Sequence, residues 1–272
     1  MNKDLNAYFC IVGSGPAGSI LAKNLAEKGF QTILVEAGSL DSKNIKQPCF
    51  DKININKNYQ TNLNSPYQVG GASNLWSGKM HELDEIDFVK RPLIKDCSWP
   101  FGKAKLDSHY KKASKILSVP SKSQINNIFS SSSVAKRNSN ISIKNIYISD
   151  KPYNFKYFLG SKINNLKNLT LLTESKVISL SQKIKNGDIS YANVKNKKLQ
   201  DFKIFAKIFI LACGGIEIPR IMLNSKSNKL PYSIGNRYGN VGRYFSTHPK
   251  GNLGVALIKK EANFSSSLFK NK

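Results

Sequence analysis

Residues 8–38 read YFCIVGSGPAGSILAKNLAEKGFQTILVEAG, and this stretch decides the fold. An apolar run, Tyr8–Val12, predicts a strand. Gly13, Gly15 and Gly18 follow in G-x-G-x-x-G spacing. The spacing of Ile20, Leu21 and Leu25 predicts an amphipathic helix from about Pro16 to Lys28. A second strand, Thr32–Val35, then ends on the acid Glu36 and Ala37. Glycines in this spacing are a weak signal alone. Between a strand and a helix, with an acid closing the next strand, they are the grammar of a dinucleotide-binding unit.

Each residue type has a physical reason to stand where it does. Gly13 lets the chain turn sharply out of the strand, Gly15 lets backbone approach a pyrophosphate, and Gly18 lets the helix pack closely on the strand. Ser14, Pro16 and Ala17 complete the turn, and the unpaired N–H groups at the helix start face an anion. Glu36 is placed to accept hydrogen bonds from an adenosine ribose, and its charge disfavours a 2′-phosphate. At this point NAD and FAD both remain open.

The chain has 272 residues, 40% of them hydrophobic, enough for one large domain or two small ones. No apolar run reaches membrane-spanning length and no secretory leader precedes the first strand, so a cytoplasmic location is the expectation. Four cysteines (Cys10, Cys49, Cys97, Cys213) and three histidines (His81, His109, His248) are too dispersed for a zinc site or a disulfide framework. The formal net charge of +25 raises nucleic-acid or anionic-membrane binding. The lysines, however, are spread along a chain also rich in Asn, Ile and Ser. There is no basic helix and no aromatic-interleaved basic stripe, so specific nucleic-acid recognition is not expected.

Beyond Glu36 a long polar connection, 39–65, leads to YQVGGASNLWSGKM at 67–80. Gly70 and Gly71, followed by Ala72, Ser73, Asn74, Trp76 and Ser77, suit a turn lying close to a flat ligand. A helix is expected over Leu106–Leu117, and a surface loop over Ser121–Asn140. Alternation at Ile141–Ile148, Leu169–Thr173, Lys176–Ile184 and Ile189–Val194, with a turn at Asn186-Gly187, predicts a β-meander. Phe202–Cys213 ends in a continuous apolar run that reads as a buried parallel strand. It meets Gly214-Gly215 and a helix over Ile216–Leu223, a second strand–glycine–helix junction. Val255–Ile258 begins one more strand.

Four segments in this order, GSGPAGSILA (13–22), VGGASNLWSG (69–78), LACGGIEIPRIMLNS (211–225) and VGRYFSTHP (241–249), resemble the glucose–methanol–choline oxidoreductases. The stretch at 96–119 is similar to the segment that follows the flavin loop in that family. The look is nearest to the branch with pyranose oxidase and the large subunits of gluconate and fructose dehydrogenases. The resemblance implies an α/β fold: a Rossmann-like FAD-binding fold with a parallel sheet, an inserted antiparallel meander and an incomplete substrate domain. It divides the chain into a discontinuous FAD-binding domain (1–120 and 160–250) and parts of a substrate domain (121–159 and 251–272).

Carried over residue by residue, the resemblance assigns Gly13 to Gly18 to the FAD pyrophosphate and Glu36 with Ala37 to the adenosine ribose. Gly70, Gly71, Ala72, Ser73, Asn74, Trp76 and Ser77 pass along the flavin and ribityl chain. Val177 meets the adenine by its backbone, and Cys213 with Gly214 closes the phosphate side. Several family members attach FAD covalently through a histidine where Leu75 stands here, so non-covalent FAD is implied. The family's catalytic pair lies near its C-terminus in chains about twice as long. None of the three histidines matches it, and no catalytic residue is assigned. The expectation is therefore the FAD-binding portion of an alcohol or sugar oxidoreductase with little activity alone. The alternative is a flavin-binding module completed by a partner chain or an electron-acceptor subunit.

Overall fold

The computed structural model describes residues 4–40, 67–93, 98–119, 147–148, 154–163, 166–183, 187–226 and 231–245. The polar connection from position 41 on, the 121–140 loop, positions 141–146 of the strand expected at Ile141–Ile148, Asn186, Val255–Ile258, Cys49, Cys97 and His248 fall outside these residues.

In chain order the elements begin with β1 (Leu5–Val12), α1 (Pro16–Glu27) and β2 (Thr32–Val35). A short 3-10 turn (Gly71–Asn74), β3 (Lys79–Met80) and α2 (Asp107–Leu117) follow. Then come β4 (Tyr147–Ile148), α3 (Phe155–Ile163) and β5 (Leu169–Leu172). The meander β6 (Ser175–Gln182), β7 (Ile189–Asn196) and β8 (Asp201–Leu211) leads into α4 (Gly214–Asn224).

One six-stranded sheet dominates, in the order β5-β2-β1-β8-β7-β6. β1 lies parallel to β2 on one edge (Cys10 opposite Ile33) and parallel to β8 on the other (Cys10 opposite Phe209). β2 in turn pairs parallel with β5. The far side is antiparallel: β8 pairs with β7, and β7 with β6. This is the Rossmann-like FAD-binding architecture expected, with the meander joined to the parallel sheet rather than standing apart from it.

Period-two alternation sorts β1 and β2 onto two cores. On one face Cys10, Val12, Ile33 and Val35 pack with the meander residues Val177, Val194 and Ile204, and with Ile221 of α4. On the other, Ile11 and Leu34 pack with Ala22 and Ala26 of α1 and Phe155 and Leu159 of α3. Small residues on the inner face of α1 let it sit close to the strands.

The reading of β8 as a uniformly buried parallel strand needs correction. Its edges differ, with β1 running parallel and β7 antiparallel. Its first half alternates, Phe202 and Ile204 buried, but Ile208 is 41% exposed. The pairing with β7 ends at Phe205, so Ala206–Leu211 faces β1 on one edge and no strand among the described residues on the other. Continuous apolarity does not report which edge of a strand is paired.

Candidate functional site: a dinucleotide cavity at the strand ends

The C-terminal ends of β1, β2 and β8 open into a cavity of about 650 Å³. Ligands of open α/β sheets bind at this position. Three segments remote in sequence meet there: the first glycine turn, the Gly-Gly turn at 70–71 and the junction of β8 with α4.

The first turn is built as its sequence requires. Gly13 has φ of +100°, and a Cβ there would lie 2.7 Å from the Cys213 Cα. A Cβ on Gly18 would run into the Gly13 carbonyl, so this glycine sets the closeness of α1 to the turn. Gly15 is different: a Cβ there would meet only open space. Its backbone faces the cavity, where a methyl group would occupy ligand volume. α1 starts on Gly15 with no side-chain cap and no acid in its first turn. Its first N–H groups are therefore left for a ligand anion. Gly214 and Gly215 at the start of α4 likewise meet nothing where a Cβ would stand.

Glu36 is buried and organises the turn. Its Oε2 accepts hydrogen bonds from the Ser14 backbone N–H (3.0 Å) and the Ser14 hydroxyl (2.7 Å), and its Oε1 accepts one from the Gly38 N–H (2.8 Å). Burial pushes its carboxyl above the usual carboxylate range, and the hydrogen bonds from Ser14, Gly38 and Ala37 pull part of the way back. A carboxylate oxygen accepts more than one donor, so this acid can hold the turn and still receive a ribose hydroxyl.

Ser14 does more than its place in the glycine pattern suggests. Its hydroxyl donates to Glu36 and accepts from the Gly70 N–H at 3.0 Å. Its carbonyl receives the Ser19 hydroxyl at 2.6 Å. This fully buried serine thus fastens the second glycine turn to the first.

Of the residues assigned to the cofactor from the sequence, Gly13, Ser14, Gly15, Pro16, Ala17, Glu36, Ala37, Gly71, Ala72, Val177, Cys213 and Gly214 line the cavity wall. Gly18, Gly70, Ser73, Asn74, Trp76 and Ser77 stand outside that wall. Ser73 donates to the Gly70 carbonyl at 2.6 Å and Asn74 to the Val69 carbonyl at 2.8 Å, so both brace the loop from behind. Trp76 is half-buried and Ser77 exposed. Cys213 lies in the wall as a thiol pushed by burial up to about 12, neutral at physiological pH. Neither His81 nor His109 reaches the cavity.

The reading from sequence missed five polar residues of the wall: Tyr67, Ser175, Lys176, Glu217 and Arg220. Glu217 and Arg220 stand three apart on α4, and such a pair reads in sequence as an ordinary solvated helix pair.

A turn, an acid and a crevice in this arrangement define a dinucleotide-binding site of the Rossmann-like kind. Residues 7–51 match the family model described as an FAD binding domain. Paromamine 6′-oxidase of Streptomyces fradiae is 22% identical over 282 residues, covering 86% of this chain and 52% of that protein. Among solved structures, pyridoxine 4-oxidase from Mesorbium loti superimposes with a TM-score of 0.51 at 18% identity, over 80% of this chain and 51% of that one. A fungal aryl-alcohol oxidase does so with a TM-score of 0.53 at 13% identity, over 81% and 47%. The chain thus spans about half the length of the relatives it matches. The cofactor is FAD. Among the described residues no helix is long and apolar enough to cross a membrane.

Proposed function

We propose that this chain supplies the FAD-binding portion of a glucose–methanol–choline-type oxidoreductase acting on the CH–OH group of an alcohol or sugar. The carrying observation is the convergence of three separate glycine-bearing segments and Glu36 on one cavity at the strand ends. Four sequence segments in family order, and oxidases among the relatives, support the same reading.

The residues present fit the cofactor. Gly15, Ala17 and the start of α1 would hold the pyrophosphate, Glu36 the adenosine ribose, and Gly71 with Ala72 would pass beside the ribityl and flavin portion. When bound, FAD supplies a hydride acceptor. The chain's own contribution is to bind and orient it and to exclude water along an apolar wall. Leu75 offers no nucleophile, so FAD is held without a covalent bond. The resemblance assigns the role of catalytic base to none of His81, His109 and His248, and on that reading the 272-residue polypeptide binds FAD with little turnover of its own.

The test is the visible absorption spectrum of the purified polypeptide. Flavin bands released into the supernatant by acid support the reading. A colourless protein that takes up no FAD on reconstitution overturns it, and flavin retained after acid precipitation overturns the non-covalent part.

The outer edge of β8 supports a second reading, in which a partner chain completes the enzyme. Ala206–Leu211 has unpaired backbone on that edge among the described residues, beside a half-exposed Ile208. Such an edge accepts an added strand. Co-expression with a candidate partner should raise solubility and turnover together; unchanged values for both would exclude that partner.

A further inference from the structure

Four of the polar wall residues absent from the sequence reading, Tyr67, Lys176, Glu217 and Arg220, form one connected group at the β2–β6 end of the cavity. Lys176 Nζ donates to the Tyr67 hydroxyl at 2.8 Å and lies 4.7 Å from the centroid of the Tyr67 ring. The Tyr67 hydroxyl donates to Glu217 Oε1 at 3.3 Å. Glu217 Oε2 accepts from Arg220 Nε at 2.7 Å, and Arg220 Nη2 donates to the Val177 carbonyl at 2.9 Å. Three elements are thereby tied together: the approach to the second glycine turn, the start of β6, and the first half of α4.

Their position relative to the acid fixes what they border. The Ser175 N–H donates to the Glu36 carbonyl at 3.0 Å, so β6 starts where β2 ends. The pyrophosphate of a dinucleotide would meet the start of α1 and its ribose Glu36. Beyond Glu36 the cavity continues along Lys176 and Val177 of β6 and Glu217 and Arg220 of α4, the space left for the base. Tyr67 lines the same stretch of cavity, beside Lys176. A phenol held by both a cation and a carboxylate is fixed in orientation before any ligand arrives. A prepositioned flat ring lowers the ordering cost of binding a flat base.

We propose that Tyr67 is a specificity-determining residue for the purine half of the cofactor, held in position by Lys176, Glu217 and Arg220. This rests on the FAD-binding reading above. The ring forms a fixed wall for the base. Glu217, through Arg220 and the Tyr67 hydroxyl, sets the distance between that wall and β6. The flavin half would pass Gly71 and Ala72, away from this group.

The test measures Kd for FAD, FMN and ADP-ribose by fluorescence titration of the 272-residue polypeptide and its variants. Each variant is first checked for native circular dichroism. The wild type must bind FAD; if it does not, the FAD-binding reading itself fails, independently of this proposal. With the wild type binding, Tyr67→Ala is expected to weaken FAD and ADP-ribose at least tenfold and FMN less than twofold. Tyr67→Phe keeps the ring and should lose only severalfold, and Glu217→Gln should resemble it. Equal losses for FAD and FMN, or unchanged ADP-ribose binding in Tyr67→Ala, would overturn the assignment. Should Tyr67→Ala fail to fold, Tyr67→Phe and Glu217→Gln decide. A selective loss for ADP-ribose over FMN sustains the proposal, and its absence in both refutes it.

Discussion

At the scale of single residues, the glycines of the first turn do separable jobs. Gly13 has positive φ and its Cβ position is blocked by Cys213 backbone, whereas Gly15 has open space. Gly13→Ala should cost about 2–5 kcal/mol, from left-handed strain plus overpacking, seen as a lower denaturant midpoint. Gly15→Ala should leave that midpoint nearly unchanged while FAD affinity falls sharply, because its methyl group fills ligand volume. Equal stability losses in the two variants would contradict this division. Glu36 gives a pH signature. Burial raises its pKa in the folded state, so it contributes most stability below the ordinary carboxylate range. That contribution declines as pH rises toward the elevated value. Ribose hydroxyls favour the ionised form, so FAD affinity should climb with pH through the same window. Glu36→Gln should flatten the profile and weaken binding about tenfold or more at neutral pH, the scale of a hydrogen bond to a charged group. A pH-independent affinity in the wild type would count against Glu36 as the ribose acceptor.

At the scale of elements, Ile204 and Ile208 sit four positions apart on β8, yet one is fully buried and the other 41% exposed. Ile204→Ala should cost about 2–5 kcal/mol, as buried large-to-small changes do, and Ile208→Ala at most about 1 kcal/mol. Chemical denaturation of both variants checks this, and a comparable loss at Ile208 would restore the uniformly buried strand that the sequence suggests. The contrast also marks what was legible. β2 was readable to the residue and α1 to within one, because alternation, helical spacing and glycine chemistry are all local, while β1 begins at Leu5, three residues before the expected Tyr8. The bounds of β6 and β7 were found within a residue or two for the same reason, but Leu169–Thr173, expected in the same meander, forms β5 and pairs parallel with β2 at the opposite edge of the sheet. The two-sided pairing of β8 was not, because an apolar run reports burial tendency and says nothing of neighbours. At the site, the glycines and Glu36 followed from a contiguous pattern. Tyr67, Lys176 and Glu217 did not: they meet across more than a hundred residues of sequence, and each alone is an unremarkable polar residue.

At the scale of the whole molecule, the charge of +25 is carried by 42 basic against 17 acidic residues. It predicts salt-sensitive adhesion to polyanions, without sequence preference. Binding to heparin or mixed-sequence DNA should disappear at about 0.5 M salt, where the screening length falls to a few ångströms. Retention at that salt, or selectivity among DNA sequences, would point to a built nucleic-acid site instead. The same molecule holds two buried or half-buried thiols whose protons burial retains up to about 12. Cys10 and Cys213 should therefore alkylate slowly with iodoacetamide at neutral pH and rapidly once the chain is unfolded.

The pairing of β1 with β8 joins Leu5 to Ile204 and Val12 to Leu211. Non-local pairing of this kind slows folding, since a long loop must close before any contact rewards it. During synthesis β1 emerges first and can find β2 at once, but its other edge must wait until β8 leaves the ribosome. Until then the turn at Gly13 lacks the Ala212 and Cys213 backbone that presses on it, and the cavity has only part of its wall. The cofactor site is thus assembled in one late step, when the two halves of the sheet join. The segment of sequence easiest to recognise is the one whose structure is completed last.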